Sequence, residues 1–247
     1  MRKIGIAIFF LCSGWLSVLH GQTPEKRRVA DALQNLADRY RSYKSLHFSI
    51  SYRYASERNP SVYLDSLKGD FKMSGGSYRY IVDSTEFIGT SDLILVIFRQ
   101  DRILFLSRPS GALQSGNPMA LMDSLLLKSD NINGSVEETA DQQQITISFP
   151  PGGTIKRIVY TVDRKTGLVM NMTNIIQSSQ LYDPSVRSRV DGKSSYAVVE
   201  TTFSNYREGD FAQEELNPGR YFKKEGTEYV ALPPYEGYKI FKGNPDL

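Results

Sequence analysis

Cysteine and histidine are nearly absent from this chain of 247 residues, which has one of the first and two of the second. Cys12 and His20 both fall within the first 21 positions, so His47 is the only one of the three beyond them. A single cysteine cannot close a disulfide within the chain, so the fold must rest on an ordinary core. Zinc and copper centres are built from clustered His and Cys, which excludes the common transition-metal sites. A Ser-His-Asp arrangement would have to use His47, which sits at a polar position of a strand pattern, and no G-x-S-x-G turn exists to present a serine. The glycine pairs Gly75-Gly76 and Gly152-Gly153 lack the Lys and Ser/Thr of a phosphate loop and precede strand patterns, so they read as hairpin turns. Two acids brought together by the fold would suffice for glycoside hydrolysis. The visible pairs, Glu137-Glu138 and Glu214-Glu215, are sequence neighbours whose side chains point apart, and they are expected on the solvated surface. No cofactor and no catalytic activity are expected.

Long hydrophobic runs are also missing, with one exception at the start. Arg2 and Lys3 precede an apolar stretch over residues 4–19 that Gly5, Ser13, Gly14 and Ser17 interrupt, followed by Gly21-Gln22-Thr23-Pro24. This is the layout of a secretory signal peptide cleaved near Gly21, and the stretch is shorter than the roughly 20 residues a membrane span prefers. Cys12 follows Leu11 where a lipid-attachment site has a small residue, so lipidation is not expected. The runs over 93–98 and 119–127 are too short to cross a bilayer. No integral membrane segment is therefore expected after cleavage. Of 30 basic and 27 acidic residues, cleavage removes Arg2 and Lys3, leaving 28 against 27 and a formal charge of +1. That balance gives no support to a groove tracking nucleic-acid phosphates.

What remains is one amphipathic helix followed by strands. Thr23-Pro24 is a hydroxyl cap with proline at the first helical position, and Val29, Leu33, Leu36 and Tyr40 recur at helical spacing, leaving one apolar docking stripe. Leu46, Phe48, Ile50, Tyr52 and Tyr54 then alternate with His47, Ser49, Ser51 and Arg53, the period of a half-buried strand. Asn59-Pro60 predicts a turn, and Leu67, Gly69, Phe71 and Met73 alternate along a second strand. Val62 and Leu64 lie on the opposite parity, which predicts a bulge near Asp65. A tight turn at Ser74-Gly75-Gly76-Ser77 leads into residues 78–82, and 86–88 form a short strand. The runs 93–98 and 103–106 read as a hairpin touching apolar material on both faces. Asn117-Pro118 starts a short apolar helix over 117–127. Hairpin strands follow over 144–149, 155–163 and 168–176. A polar excursion spans 183–195, and 196–203 is expected to be the last strand of the main sheet. The tail, with Tyr221-Phe222, Tyr229-Val230, Tyr235, Tyr238 and Ile240-Phe241 divided by Gly and Pro, reads as an aromatic hairpin addition. The expected fold class is mainly β (α+β). Three parts are expected: a signal peptide over 1–21, a β-domain over 22–206 and an extension over 207–247. Two short helices are too little to cover the concave face of so long and twisted a sheet, which leaves apolar surface for a ligand.

The order of these pieces resembles the periplasmic lipoprotein carrier family, LolA with its LolB, RseB and LppX-like relatives. The resemblance lies in the opening helix with "YKSLHFSISY", in "LKGDFKMSGGSYRYIV" with its aromatic-x-aromatic strand, in "GNPMALM", in "ISFPPGGTIKRIVYTVDRKTGLVMNM" and in "YAVVETTFSNY", and it covers residues 25–206. It implies a curved antiparallel half-barrel, LolA-like, with the N-terminal helix and a short lid helix over its mouth. The cavity would be hydrophobic, for acyl chains, lined by Tyr52, Tyr54, Phe71, Tyr80, Leu121 and Met122, with the 117–127 helix as part of the lid. The implied partners are an acylated lipoprotein or lipid and inner- or outer-membrane envelope proteins, and the implied location is the periplasm. Two features depart from the family. Ser74-Gly75-Gly76 replaces the arginine and proline at the entry to the aromatic strand, and the tail beyond Phe211 is longer and more aromatic than a carrier's end. The alternative is an envelope interaction or signalling module on the same scaffold, its cavity self-filled and its aromatic tail the contact surface.

Overall fold

A computed structural model describes residues 23–109, 133–181, 196–209, 211, 213–244 and 247. The leader expected over 1–21, the helix expected over 117–127 with Leu121 and Met122, and the excursion over 183–195 lie outside the described residues.

The single α-helix among the described residues, α1 (Pro24–Arg41), begins where the cap and proline place it: Thr23 Oγ1 accepts from the Lys26 N–H. Its buried face is Val29, Ala32, Leu33, Leu36, Ala37 and Tyr40. The strands are β1 (Ser45–Ser56), β2 (Asn59–Ser74), β3 (Ser77–Val82), β4 (Thr85–Gly89), β5 (Ile94–Phe98), β6 (Ile103–Ser107), β7 (Asn133–Glu138), β8 (Gln142–Ser148), β9 (Ile155–Asp163), β10 (Val169–Gln177), β11 (Tyr196–Glu208), β12 (Phe222–Glu225), β13 (Glu228–Ala231) and β14 (Lys239–Lys242). Twelve of them form one curved open sheet in the order β14-β6-β5-β4-β3-β2-β1-β11-β10-β9-β8-β7, and β12 and β13 form a separate hairpin. The mainly β architecture with a curved, unclosed antiparallel sheet is the expected fold. No helix among the described residues is long and apolar enough to cross a membrane.

Two local expectations are corrected. The turn between β1 and β2 sits at Glu57-Arg58, and Asn59-Pro60 already belong to β2, where every residue from Asn59 to Ser66 is exposed and a proline costs no shared bond. The main sheet does not end at β11: β14, from the tail, pairs in parallel with β6 and becomes its edge. The bulge expected near Asp65 is present. Tyr54 stands opposite Asp65 and Ala55 opposite Tyr63, leaving Leu64 as the extra residue. At the Gly75-Gly76 turn both glycines take positive φ, 57° and 83°, as a two-residue hairpin requires.

The sheet has two apolar faces and therefore two cores. On the inner face, the side of α1, Phe48, Phe71, Ile145, Ile147, Ile158, Tyr160 and Val162 pack with Val29, Leu33, Leu36 and Tyr40. The helix lies closely over β7, where a Cβ on Gly134 would stand 2.8 Å from Val29. A closed hydrogen-bond circuit pins the helix further. Tyr40 and Tyr206 hydroxyls pair at 2.7 Å, Tyr206 donates to the Val169 carbonyl at 2.7 Å, and the Val169 N–H donates to Tyr40. Burial pushes the Tyr40 phenol up to about 12. On the outer face, Ile88, Leu95, Ile97, Leu104 and Leu106 are completely buried beneath Tyr221, Phe222, Tyr229, Tyr235 and Tyr238 of the tail. The 93–98 and 103–106 runs thus meet apolar material on the outer side, while on the inner side Ile94, Val96, Ile103 and Phe105 are only half-buried.

Candidate functional site

Strand pairing carries one row of inner-face side chains across the sheet. Phe48 stands opposite Phe71, Phe71 opposite Tyr80, Tyr80 opposite Phe87, Phe87 opposite Val96, Val96 opposite Phe105, and Phe105 beside Phe241. The row is apolar or aromatic at every position, and its cover thins with distance from α1. Phe48 and Phe71 are 1% and 5% exposed, Tyr80, Phe87, Val96 and Phe105 are half-buried, and Phe241 is 49% exposed. The two flanking rows behave alike: Ile94, opposite Ser107, is half-buried on one side, and on the other Ile103 is half-buried opposite an exposed Phe98. The rings form a continuous stack: Phe48 to Phe71 at 4.9 Å between centroids, Phe71 to Tyr80 at 6.0 Å, and Tyr80 to Phe87 at 5.7 Å. Glycines make room for the tyrosines. Tyr78 lies so close over Gly89 that a Cβ there would meet its ring at 2.1 Å, and the Tyr80 ring lies 3.1 Å from the Cβ position of Gly69.

The structure brings four of the six expected lining residues together. Phe71 is part of the closed core, whereas Tyr52, Tyr54 and Tyr80 are half-buried at its border. Tyr52 and Tyr54 stack at 6.5 Å, and Tyr80 Oη donates to Tyr52 Oη at 2.6 Å across the intervening strand β2. Burial pushes both phenols up, so they stay neutral. Leu121 and Met122 fall outside the described residues. Reading the sequence alone missed Phe87, Val96 and Phe105, because in a run such as Ile94-Leu95-Val96-Ile97 no polar residue marks which parity faces inward. Only pairing with the aromatic strand β3 decides it. It also missed Thr201, which stands directly opposite both Tyr52 and Met172 on the inner face and is 1% exposed.

A polar constellation lies on the outer face. Glu86 has no solvent exposure; its Oε1 accepts from Arg79 Nε and Tyr221 Oη, each at 2.6 Å, and its Oε2 accepts from Arg99 Nη2. Burial alone would raise this carboxyl, but the hydrogen bonds from Tyr221 and Arg79 and the charge of Arg79 hold it below its ordinary value. Glu215, expected on the solvated surface with Glu214, is instead half-buried and paired with Lys72 at 2.6 Å and with Arg79 at 3.6 Å; Glu214 is exposed as expected. The Arg79 guanidinium contacts both acids and links them. The cluster joins the tail to the sheet. His47 pairs with Asp70 at 2.6 Å on the polar side of β1 and β2. Among the described residues no group of three or more His, Cys, Asp or Glu is placed to hold a metal ion.

No protein-family model matches the chain, and no curated protein matches it. Solved structures do. An uncharacterized conserved protein from Thermus thermophilus superposes with a TM-score of 0.50 at 6% identity, covering 87% of this chain and 99% of that one. The lipoprotein LppX from Mycobacterium tuberculosis matches with a TM-score of 0.38 at 13% identity, covering 75% of this chain and 98% of its own. A LolA superfamily protein from Nitrosomonas europaea matches with a TM-score of 0.36 at 8% identity, covering 79% and 98%. The likeness is one of architecture alone.

Proposed function

We propose that this protein is a non-catalytic periplasmic binding or carrier protein that holds acyl chains of lipoproteins or lipids against the inner face of its half-barrel. The observation that carries this reading is the apolar row Tyr80, Phe87, Val96 and Phe105, half-buried where the helix no longer covers the sheet. An acyl chain laid along it needs no catalytic group, since each buried methylene contributes about 0.8 kcal/mol. Tyr52, Tyr54, Phe71, Leu121 and Met122 belong to the same lining in this proposal, with residues 117–127 as part of the lid. Support for the alternative, an interaction module using the aromatic tail, is reduced by the packing of that tail. Tyr221 and Phe222 are buried, Tyr229, Tyr235 and Tyr238 pack on the outer face, and the tail's exposed large apolar residues are Val230 and Phe241.

Native mass spectrometry with lipid extraction, on protein purified gently from the periplasm, tests the proposal. Co-purified acyl lipid or lipoprotein is expected, and a Val96→Glu, Phe105→Glu double variant is expected to lose it. Protein that is ligand-free and refuses acylated peptide in excess would overturn the carrier reading.

A further inference from the structure

The first half of β2 is an open edge, although the strand lies in the middle of the sheet order. Strand β1 pairs with β2 from Asn59 to Ser74, whereas β3 pairs with it only from Gly69 to Ser74. Asp83, in the turn that follows β3, donates its N–H to the Lys68 carbonyl at 3.2 Å, and among the described residues no strand lies beside β2 beyond that point. Alternation along the strand turns the backbone of Ser66 the same way as that of Lys68, and the Ser66 N–H meets the Asp65 side chain at 2.7 Å in place of a strand partner. Every residue over 59–66 is exposed, including the consecutive Val62, Tyr63 and Leu64. The edge is nonetheless held firm from behind: Tyr63 Oη donates to Glu200 at 2.8 Å, and the Arg53 guanidinium covers the Tyr63 ring at 4.6 Å. An unpaired edge with apolar side chains is a template for pairing with another chain. Pro60 and the bulge at Leu64 make this edge irregular, but no lysine guards it within 58–67.

The charges of the edge say what fits it. Residues 58–67 carry one cation, Arg58, and one anion, Asp65; both are exposed, and neither forms an ion pair among the described residues. A segment with opposite charges toward its two ends is complementary to its own reversed copy. A two-fold axis through the edge supplies that copy, running antiparallel. The copy's tip must stop short of Asp83, which already occupies the Lys68 carbonyl. Among the registers within this limit, one sets Arg58 opposite Asp65, Pro60 opposite Tyr63 and Ser61 opposite Val62, each pair occurring twice. Both unpaired charges are then met, and the apolar residues of the two edges gather about the axis. We infer that residues 58–67 are a self-association edge, through which two copies of this chain pair antiparallel along β2 with Arg58 of each against Asp65 of the other. The contact is isologous and uses up both open edges, so through this surface it closes at two copies. It goes beyond the acyl-binding function, since none of Tyr80, Phe87, Val96 and Phe105 belongs to the edge.

Sedimentation velocity of the intact chain over a concentration series, with amide hydrogen exchange on the same samples, tests this. A dimer whose fraction rises with concentration is expected, with the amides of residues 61–66 slowed as it forms. Arg58→Asp and Asp65→Arg are each expected to weaken the dimer about tenfold, because either one sets two like-charge pairs across the axis. The double variant Arg58→Asp, Asp65→Arg is expected to return it to wild-type strength, a rescue that only this register predicts. Both positions are exposed, so the melting temperature of the monomer is expected to be unchanged in all three variants. A chain that stays monomeric at every concentration would overturn the inference, as would a dimer that the single variants do not weaken or the double variant does not restore. A monomer whose residues 61–66 are protected by an added alternating Thr-Val octapeptide would assign the edge to a foreign strand and overturn the self-pairing. The acyl-binding function is read separately, by the lipid that co-purifies, and stands or falls apart from these outcomes.

Discussion

Glu86 keeps its charge at a position without solvent exposure because three donors, from Arg79, Arg99 and Tyr221, surround its carboxylate. Removing the charge leaves two guanidiniums facing each other near a neutral amide, so Glu86→Gln is expected to cost about 3 kcal/mol, the scale for breaking a buried ion pair. The sign of the pH dependence follows from the folded-state values of Glu86 and Glu215, both held below the ordinary 4.5. Their stabilising contribution is complete above the unfolded-state value and is lost as pH falls through the lower folded-state values. Thermal melts from pH 7 to pH 3 are expected to show wild-type stability declining below about pH 4.5, with a shallower decline in Glu86→Gln from a lower starting point. A variant with wild-type melting at pH 7 would show that the cluster does not hold the tail. Thr201 is the opposite case, since among the described residues its buried hydroxyl has no hydrogen-bond partner.

The tail is an element that the sheet cannot do without. Leu95, Ile97, Leu104 and Leu106 are all 0% exposed, and the residues over them come from 221–247. Burial of such side chains contributes about 1.5–3 kcal/mol each, comparable in sum to the whole stability of a domain. A chain ending at Asn217 is therefore expected to aggregate on expression, and the intact chain to run as a monodisperse species on size-exclusion chromatography. A folded, monodisperse truncation would contradict this account of the outer core. The sequence shows why the tail's destination was hard to read. The helix, the β1–β2 hairpin and the Gly75-Gly76 turn follow from local chemistry: a cap, an alternation, two glycines. The runs 94–98 and 103–106 show by their continuity that both faces are apolar, but continuity names no partner and does not say which face is covered. That β14 closes on β6 in parallel depends on a contact across more than a hundred residues, for which Ile240-Phe241 carries no local signal. The candidate site was half legible for the same reason: alternation marks Tyr52, Phe71 and Tyr80, while Phe87, Val96, Phe105 and Thr201 are assigned only by register.

At the scale of the molecule, the two faces of one sheet are covered differently. The outer face of β4 to β6 is sealed by the tail and supplies stability, whereas the inner face is sealed by α1 at the β7–β8 end and thins in cover toward β14. An acyl ligand would complete the inner core, so it must bind the folded chain alone and raise its stability by mass action. At a free concentration of 100 times the dissociation constant the gain is about 2.7 kcal/mol, which for a domain of this size is a rise of roughly 6–10 °C in melting temperature. Methyl palmitate below its solubility limit is expected to produce a saturable rise of this kind. The Val96→Glu, Phe105→Glu variant is expected to show none, because two carboxylates would then lie in the ligand's path, although its outer core is untouched. A wild-type protein whose melting does not respond to any acyl probe would mean that the inner row is already satisfied by the protein's own side chains. The half-exposed residues Ile94, Phe98 and Ile103 would then be the edge of a filled core and not the floor of a binding site.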